Sequence, residues 1–183
     1  MFRKILNLIT LFALMFPASL MAETSPLYMG LSSATFDSKY HEYEVDGAIL
    51  SLGIDLNNYI SFEVSGGTSD KHEDPAAGIS YEVDYVASAF LKFNLRLNRV
   101  NLYVLGGYSK SEITSTVGTT TTTDETKGGS VGYGIDFFGT PDLALSIRRV
   151  EFYDLENEPK THLGATMFGI TYYYDTPRIH SRY

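Results

Sequence analysis

"GAILSLGIDLNNYISFEVSGG", residues 47–67, holds two alternating runs separated by Asn57-Asn58. Leu50, Leu52, Ile54 and Leu56 share one face of the first run, and Ile60, Phe62 and Val64 share one face of the second. Ser51, Gly53, Asp55, Ser61, Glu63 and Ser65 take the opposite faces. Side chains alternate across a strand with a period of two, so the stretch reads as a β-hairpin. Asn tolerates the positive φ of a two-residue turn, which places that turn at Asn57-Asn58. The fold then depends on what covers the greasy face, packed protein or lipid.

Residues 1–22 bear on that choice. Arg3 and Lys4 precede an apolar run from Ile5 to Phe16, followed by Pro17, Ala18, Ser19 and Ala22. This is the layout of a secretory signal peptide with cleavage after Ala22, and the run is short for a bilayer span. Cleavage leaves about 161 residues, one domain by length. It also removes Arg3 and Lys4, so the formal net charge of −8 becomes −10. A chain this acidic is a poor match to nucleic acid, whose phosphates call for clustered Lys and Arg. Cysteine is absent, which excludes disulfides, thiolate metal sites and a Cys nucleophile. No long apolar run follows residue 22. A membrane-embedded form must therefore satisfy its backbone as a closed barrel.

Eight alternating segments are expected near 27–36, 46–57, 59–68, 80–96, 100–112, 129–138, 142–153 and 161–174. Short connections at 57–58, 97–99 and 139–142 alternate with long polar ones at 37–45, 69–79, 115–128 and 155–160. That rhythm predicts an all-β fold, an eight-stranded antiparallel up-and-down transmembrane β-barrel with both termini at the short-turn rim. Asp55, Glu63, Asp84, Lys92, Arg96, Asp136 and Arg148 fall on the polar face. A cation facing lipid at mid-depth costs about 2–4 kcal/mol, so these residues are expected to form an interior charge network. A soluble barrel would reverse the two faces. "SIRRVEF" puts Arg148 beside Arg149; either a β-bulge resets the register there or Arg149 snorkels toward an interface, and the bulge is favoured because it returns Glu151 inward and turns Val150 and Phe152 outward.

"THLGATMFGITYYYD" ends on Gly169, Tyr172 and Tyr174. With this stretch, and with "LYMGLSS" and "ISFEVSGG", the chain resembles the small eight-stranded outer-membrane barrels of the OmpA/OmpX/Ail-like group. The resemblance implies that Gly169, Tyr172 and Tyr174 form the signal read by the barrel-assembly machinery. Met167 and the tail 175–183 depart from the family's pattern. It further implies a bacterial outer-membrane monomer with a barrel over 23–174, contacting lipid and lipopolysaccharide, its loops binding an extracellular ligand in adhesion. Tyr28, Tyr59, Tyr81, Tyr108 and Tyr153 lie near strand ends, where an aromatic girdle is expected.

Chemistry is sparse. An eight-stranded barrel is just wide enough for its own side chains, which argues against a diffusion pore. Acyl transfer by Ser needs a His base within reach, and no His-x-Ser spacing occurs around His41, His72, His162 or His180. "SDKHED" (Asp70, His72, Glu73, Asp74) lacks the spacing of zinc or EF-hand sites. No catalytic, cofactor or metal residue is assigned. The Thr-rich 114–129 is expected to be a surface loop, or else a projecting edge to which a ligand strand could add. The reading is a non-enzymatic envelope or surface-interaction protein with acidic extracellular loops. Its rivals are a lipid A or phospholipid-modifying enzyme and a soluble secreted ligand-binding barrel.

Overall fold

The computed structural model describes residues 27–38, 44–74, 78–153 and 162–174. The expected signal segment 1–22 and the tail 175–183 lie outside these residues, as do His41 and His180. The strands are β1 (Leu27–Ser38), β2 (Glu44–Asp55), β3 (Ile60–Ser69), β4 (His72–Asp74), β5 (Ile79–Leu97), β6 (Val100–Val117), β7 (Thr120–Phe138), β8 (Leu143–Tyr153) and β9 (His162–Tyr174). All pairings are antiparallel, and β1 pairs with β9. The β3–β5 pairing closes the ring. Eight strands make the barrel, and β4 is a short addition to β5 above its rim.

Burial alternates as a lipid-facing barrel demands. Glu63 is 0% and Lys92 1% exposed, while Tyr133 is 64% and Phe168 59% exposed. A soluble barrel would invert these figures. Leu91, Phe93 and Leu95 of β5, Leu102 and Val104 of β6, and Leu145 and Ile147 of β8 continue the outer apolar band.

Four expectations need correction. The first turn is wider than two residues, with Leu56 N–H donating to the Ile60 carbonyl. Neither Asn57 nor Asn58 has positive φ; among non-glycine described residues Asn98 does, at 52°. Asn57 works through its side chain, whose Oδ1 accepts the N–H groups of Tyr59 (2.8 Å) and Ile60 (2.9 Å).

The Thr-rich stretch is not a loop. Strands β6 and β7 stay paired up to Val117–Thr120, and Gly118, at φ +60°, lies in the turn. Threonines face one another across the ladder, with Oγ1 atoms 3.1 Å apart at Thr114–Thr123 and 3.2 Å at Thr116–Thr121. Such cross-strand pairs, added to the β-preference of Thr, outweigh the polar composition that suggested a loop.

Arg148 and Arg149 sit in an unbroken register, opposite Gly134 and Tyr133 of β7. The bulge lies instead between Val83 and Tyr85. Arg149 points outward and snorkels toward the long-loop rim, donating to Asp37 through both terminal nitrogens (2.6 and 2.9 Å), to Thr166 (2.9 Å) and to Glu151 (2.8 Å). Val150 and Phe152 therefore point inward and are buried, and Glu151 shares the outer side with Arg149.

The inward turn of Val150 and Phe152 exposes a division that alternation alone conceals. The interior is polar toward the short-turn rim and apolar toward the long-loop rim. The apolar layer joins Ala34, Phe36, Ile49, Val83, Val86, Phe90, Leu105, Val150, Phe152, Leu163, Ala165 and Met167. Ser88, Ser109 and Ser130 are buried on the wall formed by β5, β6 and β7, bonded to one another at 2.7 Å. The fourth correction is Tyr28, which is 1% exposed and lines the polar layer instead of the girdle; Tyr59, Tyr108 and Tyr153 are exposed.

Candidate functional site

Two regions carry the polar side chains. The first is the interior layer. Glu63 from β3 and Arg148 from β8 face each other across the lumen in a two-pronged ion pair, with Arg148 Nη2 3.2 Å from Glu63 Oε2. Tyr28 Oη donates to the same carboxylate at 3.0 Å, and Arg148 Nε donates to Tyr103 Oη at 3.1 Å. Lys92 from β5 donates to Asp136 of β7 at 3.2 Å, its ammonium lying 3.8 Å from the centre of the Tyr103 ring. Asp136 is further held by Ser146 (2.7 Å), Asn101 (3.2 Å) and Tyr173 (3.2 Å). A chain of contacts continues downward from Asn101 to Asn94 (3.0 Å), then Ser61 (2.7 Å), then Asp55 (2.6 Å). Asp55 also pairs with Arg96.

The structure thus brings Asp55, Glu63, Lys92, Arg96, Asp136 and Arg148 together, three acids against three bases. Ionised groups are tolerated inside a barrel only when paired and hydrogen-bonded in this way. Asp84 is not among them. The adjacent bulge turns it from the lumen, and its Oδ2 accepts the Thr114 hydroxyl at 2.5 Å.

Sequence reading did not place the tyrosines. Tyr28 stands opposite Gly53, and Tyr103 opposite Gly134. Each ring lies over its glycine, where a Cβ would collide with it. A Tyr directly across from an inward Gly is therefore the signal that would have found them. Gly53→Ala and Gly134→Ala are each expected to destabilise the barrel by about 1–3 kcal/mol by displacing a ring from the ion layer. Urea unfolding in micelles reads this directly; wild-type midpoints for both would show that the rings do not depend on the missing Cβ.

The second region stands at the long-loop rim. β4 pairs with β5, β5 with β6 as far as Ile79–Val117, and β6 with β7 as far as Val117–Thr120. The β7–β8 pairing begins only at Ser130–Phe152. Among the described residues, β7 from 120 to 129 thus has no strand on its second side. Glu125 is clamped by Lys110 (2.6 Å) and by Lys127. Those hydrogen bonds, first from Lys110 and then from Lys127, hold its carboxyl below the usual range. An open cleft of about 380 Å³ lies beside this sheet, lined by Glu44, Val45, Asp46, Asp70, Lys71 and His72. Glu73 is turned aside to Lys71 at 2.7 Å. Among the described residues no group of three metal-ligating side chains forms around Asp70, His72 and Glu73, and the side chain of Asp74 lies outside the described ones.

On β9, Gly169 is packed inside against Ser32 and the Leu31 carbonyl. Tyr172 and Tyr174 point outward, edge to face with ring centres 4.8 Å apart.

Solved structures of similar shape include outer-membrane barrels. Ail of Yersinia pestis superposes with a TM-score of 0.63 at 16% identity, covering 83% of this chain and 100% of Ail. Neisserial surface protein A gives 0.62 at 15%, covering 81% of this chain and 96% of that one. The N-terminal barrel of Pseudomonas aeruginosa OprF gives 0.58 at 15%, with 80% and 97% covered. Identities this low show the fold alone. A search of curated proteins finds no match. The family model for the outer membrane protein beta-barrel domain spans residues 8–175, nearly the whole chain. With a closed antiparallel ring, a lipid-facing apolar band and that match, the chain belongs to the outer membrane protein beta-barrel domain family, and its place is the bacterial outer membrane.

Proposed function

We propose that this barrel is a non-enzymatic surface-interaction protein that presents the β4–β7 sheet as an acidic platform for cationic partners. The observation that carries the reading is the extension of β6 and β7 as paired strands to Val117–Thr120, well beyond the last β7–β8 pair. Acids outnumber bases there: Asp70, Glu73, Glu82, Glu112, Asp124 and Glu125 stand against Lys71, Lys110 and Lys127. Among the described residues β7 from 120 to 129 is paired on one side; its other side offers backbone groups to an added strand, and the acids select its charge. Ail has been crystallised with the heparin analogue sucrose octasulfate, a polyanion. This chain's platform has the opposite sign and favours basic peptide segments. In this reading the charged lumen serves packing, lipid and lipopolysaccharide surround the barrel, and Gly169, Tyr172 and Tyr174 act in assembly.

Replacing 111–126 by an Asn-Gly turn between Lys110 and Lys127, which face each other in the ladder, removes Glu112, Asp124 and Glu125 and keeps the register. The shortened barrel is expected to fold and to remain in the outer membrane, while binding of a basic peptide to whole cells falls at least tenfold. Unchanged binding would assign the barrel a purely structural role. Binding should also weaken with added salt. It should be lost as pH drops through the carboxylate range near 4. Because its folded-state pKa is lowered, Glu125 stabilises the hairpin above the ordinary carboxylate range and ceases to do so only as pH falls through the lowered value.

A further inference from the structure

Among the described residues, β7 from 120 to 129 has β6 on one side and a bare edge on the other. Its two acids, Asp124 and Glu125, point to opposite faces of the sheet, as neighbours in a strand must. On the outer face Glu125 stands opposite Glu112, and Lys127 opposite Lys110. Glu125 holds an ammonium on each oxygen, Lys110 Nζ at 2.6 Å on Oε2 and Lys127 on Oε1. Two acids and two bases balance there. Asp124 lies on the face turned to the barrel mouth, opposite Ile113, which stands opposite the buried Val83 and packs on the apolar interior. Among the described residues no ion pair or side-chain hydrogen bond reaches the Asp124 carboxylate, and the residue is exposed. Its neighbours on that face, Thr122 and Thr126, carry no charge.

We propose, building on the acidic platform described above, that Asp124 determines which strand the β7 edge accepts: an extended segment with a cation on its mouth-facing side and neutral side chains on its outer side. An added strand alternates its side chains in step with β7, so each of its residues meets one face only. A cation across from Asp124 makes a favourable cross-strand pair with a charge that nothing else neutralises. The same cation on the outer face meets Lys110 and Lys127, which already occupy both oxygens of Glu125. The edge therefore selects the order of charges along its partner as well as their number.

The full chain in lipid nanodiscs tests this with a peptide of alternating Thr and Arg, compared with an isomer that carries all its Arg in one block. Salt of about 0.15 M keeps charges more than about 8 Å apart largely screened. The wild type should bind the alternating peptide more tightly than the block. Asp124→Asn should weaken that binding about fivefold, and Glu125→Gln should change it by less than about twofold. Asp124→Lys should reverse the preference and take a peptide of alternating Thr and Glu instead. Heat-modifiable migration on gels certifies that each variant is folded. Equal binding of the alternating and block peptides overturns strand addition at this edge. Equal losses in Asp124→Asn and Glu125→Gln, or an Asp124→Lys variant without reversed preference, overturn the role of Asp124 and leave the acidic platform standing. Failure of the wild type to bind either Arg peptide overturns the platform itself, and this inference with it.

Discussion

Arg148→Met should lower the unfolding free energy of the barrel by about 3–5 kcal/mol, because it strands Glu63 as an unpaired carboxylate in a fully buried position. Glu63→Gln should do comparable damage from the other side, leaving the buried Arg148 guanidinium without the carboxylate it pairs with. The double variant, Glu63→Gln with Arg148→Met, should cost less than the two single changes added together, since neither leaves a bare charge behind. Arg149→Met is the internal control. Its ion pairs with Asp37 and Glu151 lie on the outer surface and are partly exposed, so their loss should cost about 1 kcal/mol. Urea titration of all four in micelles, read by tyrosine fluorescence, gives the comparison. Equal effects at Arg148 and Arg149 would remove the distinction between lumen and exterior on which the pairing scheme rests.

The second large effect concerns the opposite face. Leu91 lies midway along the outer side of β5, between Leu97 near the short turn and Tyr85 near the bulge. Leu91→Arg should destabilise the folded protein in bilayers by about 2–4 kcal/mol, the cost of a cation at the hydrocarbon midplane. Were that face turned to water, the same change would fall within about 0.5 kcal/mol. Sign and size together separate the two arrangements, and the reference substitution Leu91→Ala corrects for lost side-chain area.

Residue order revealed the strand number and the turn-to-loop rhythm because period-two alternation is a local property that survives in every strand. Six of the seven residues expected in the charge network meet there for the same reason, their parity being fixed by their own strands. Asp84 escaped because one extra residue between Val83 and Tyr85 shifts parity, and nothing in "YEVDYVA" marks the bulge. Adjacent arginines at 148 and 149 suggested a bulge that does not exist, since a long side chain can reach the interface without any break in register. The inward Val150 and Phe152 belong to a layered interior. Alternation tells which residues share a side but not at which height polar filling gives way to apolar. Of the two readings of the Thr-rich stretch, composition favoured the loop because it ignores the partner strand, and the projecting edge is the one that holds: Thr114 and Thr116 gain β-structure from Thr123 and Thr121 across the ladder. Tyr28 was assigned to the girdle from its position near a strand end, whereas Gly53 opposite makes room for it inside.

Everything said of the lumen and of the platform depends on hydrocarbon touching the outer band. Nitroxide labels at Leu91, Val104, Ile147 and Phe168, introduced one at a time into the bilayer-reconstituted chain, report their surroundings through collisions with oxygen and with a polar nickel chelate. At all four sites oxygen should dominate, and labels on the hairpin at Thr121 and Thr123 should show the reverse. Nickel dominating at the four strand positions would put water where lipid is required and contradict the arrangement outright.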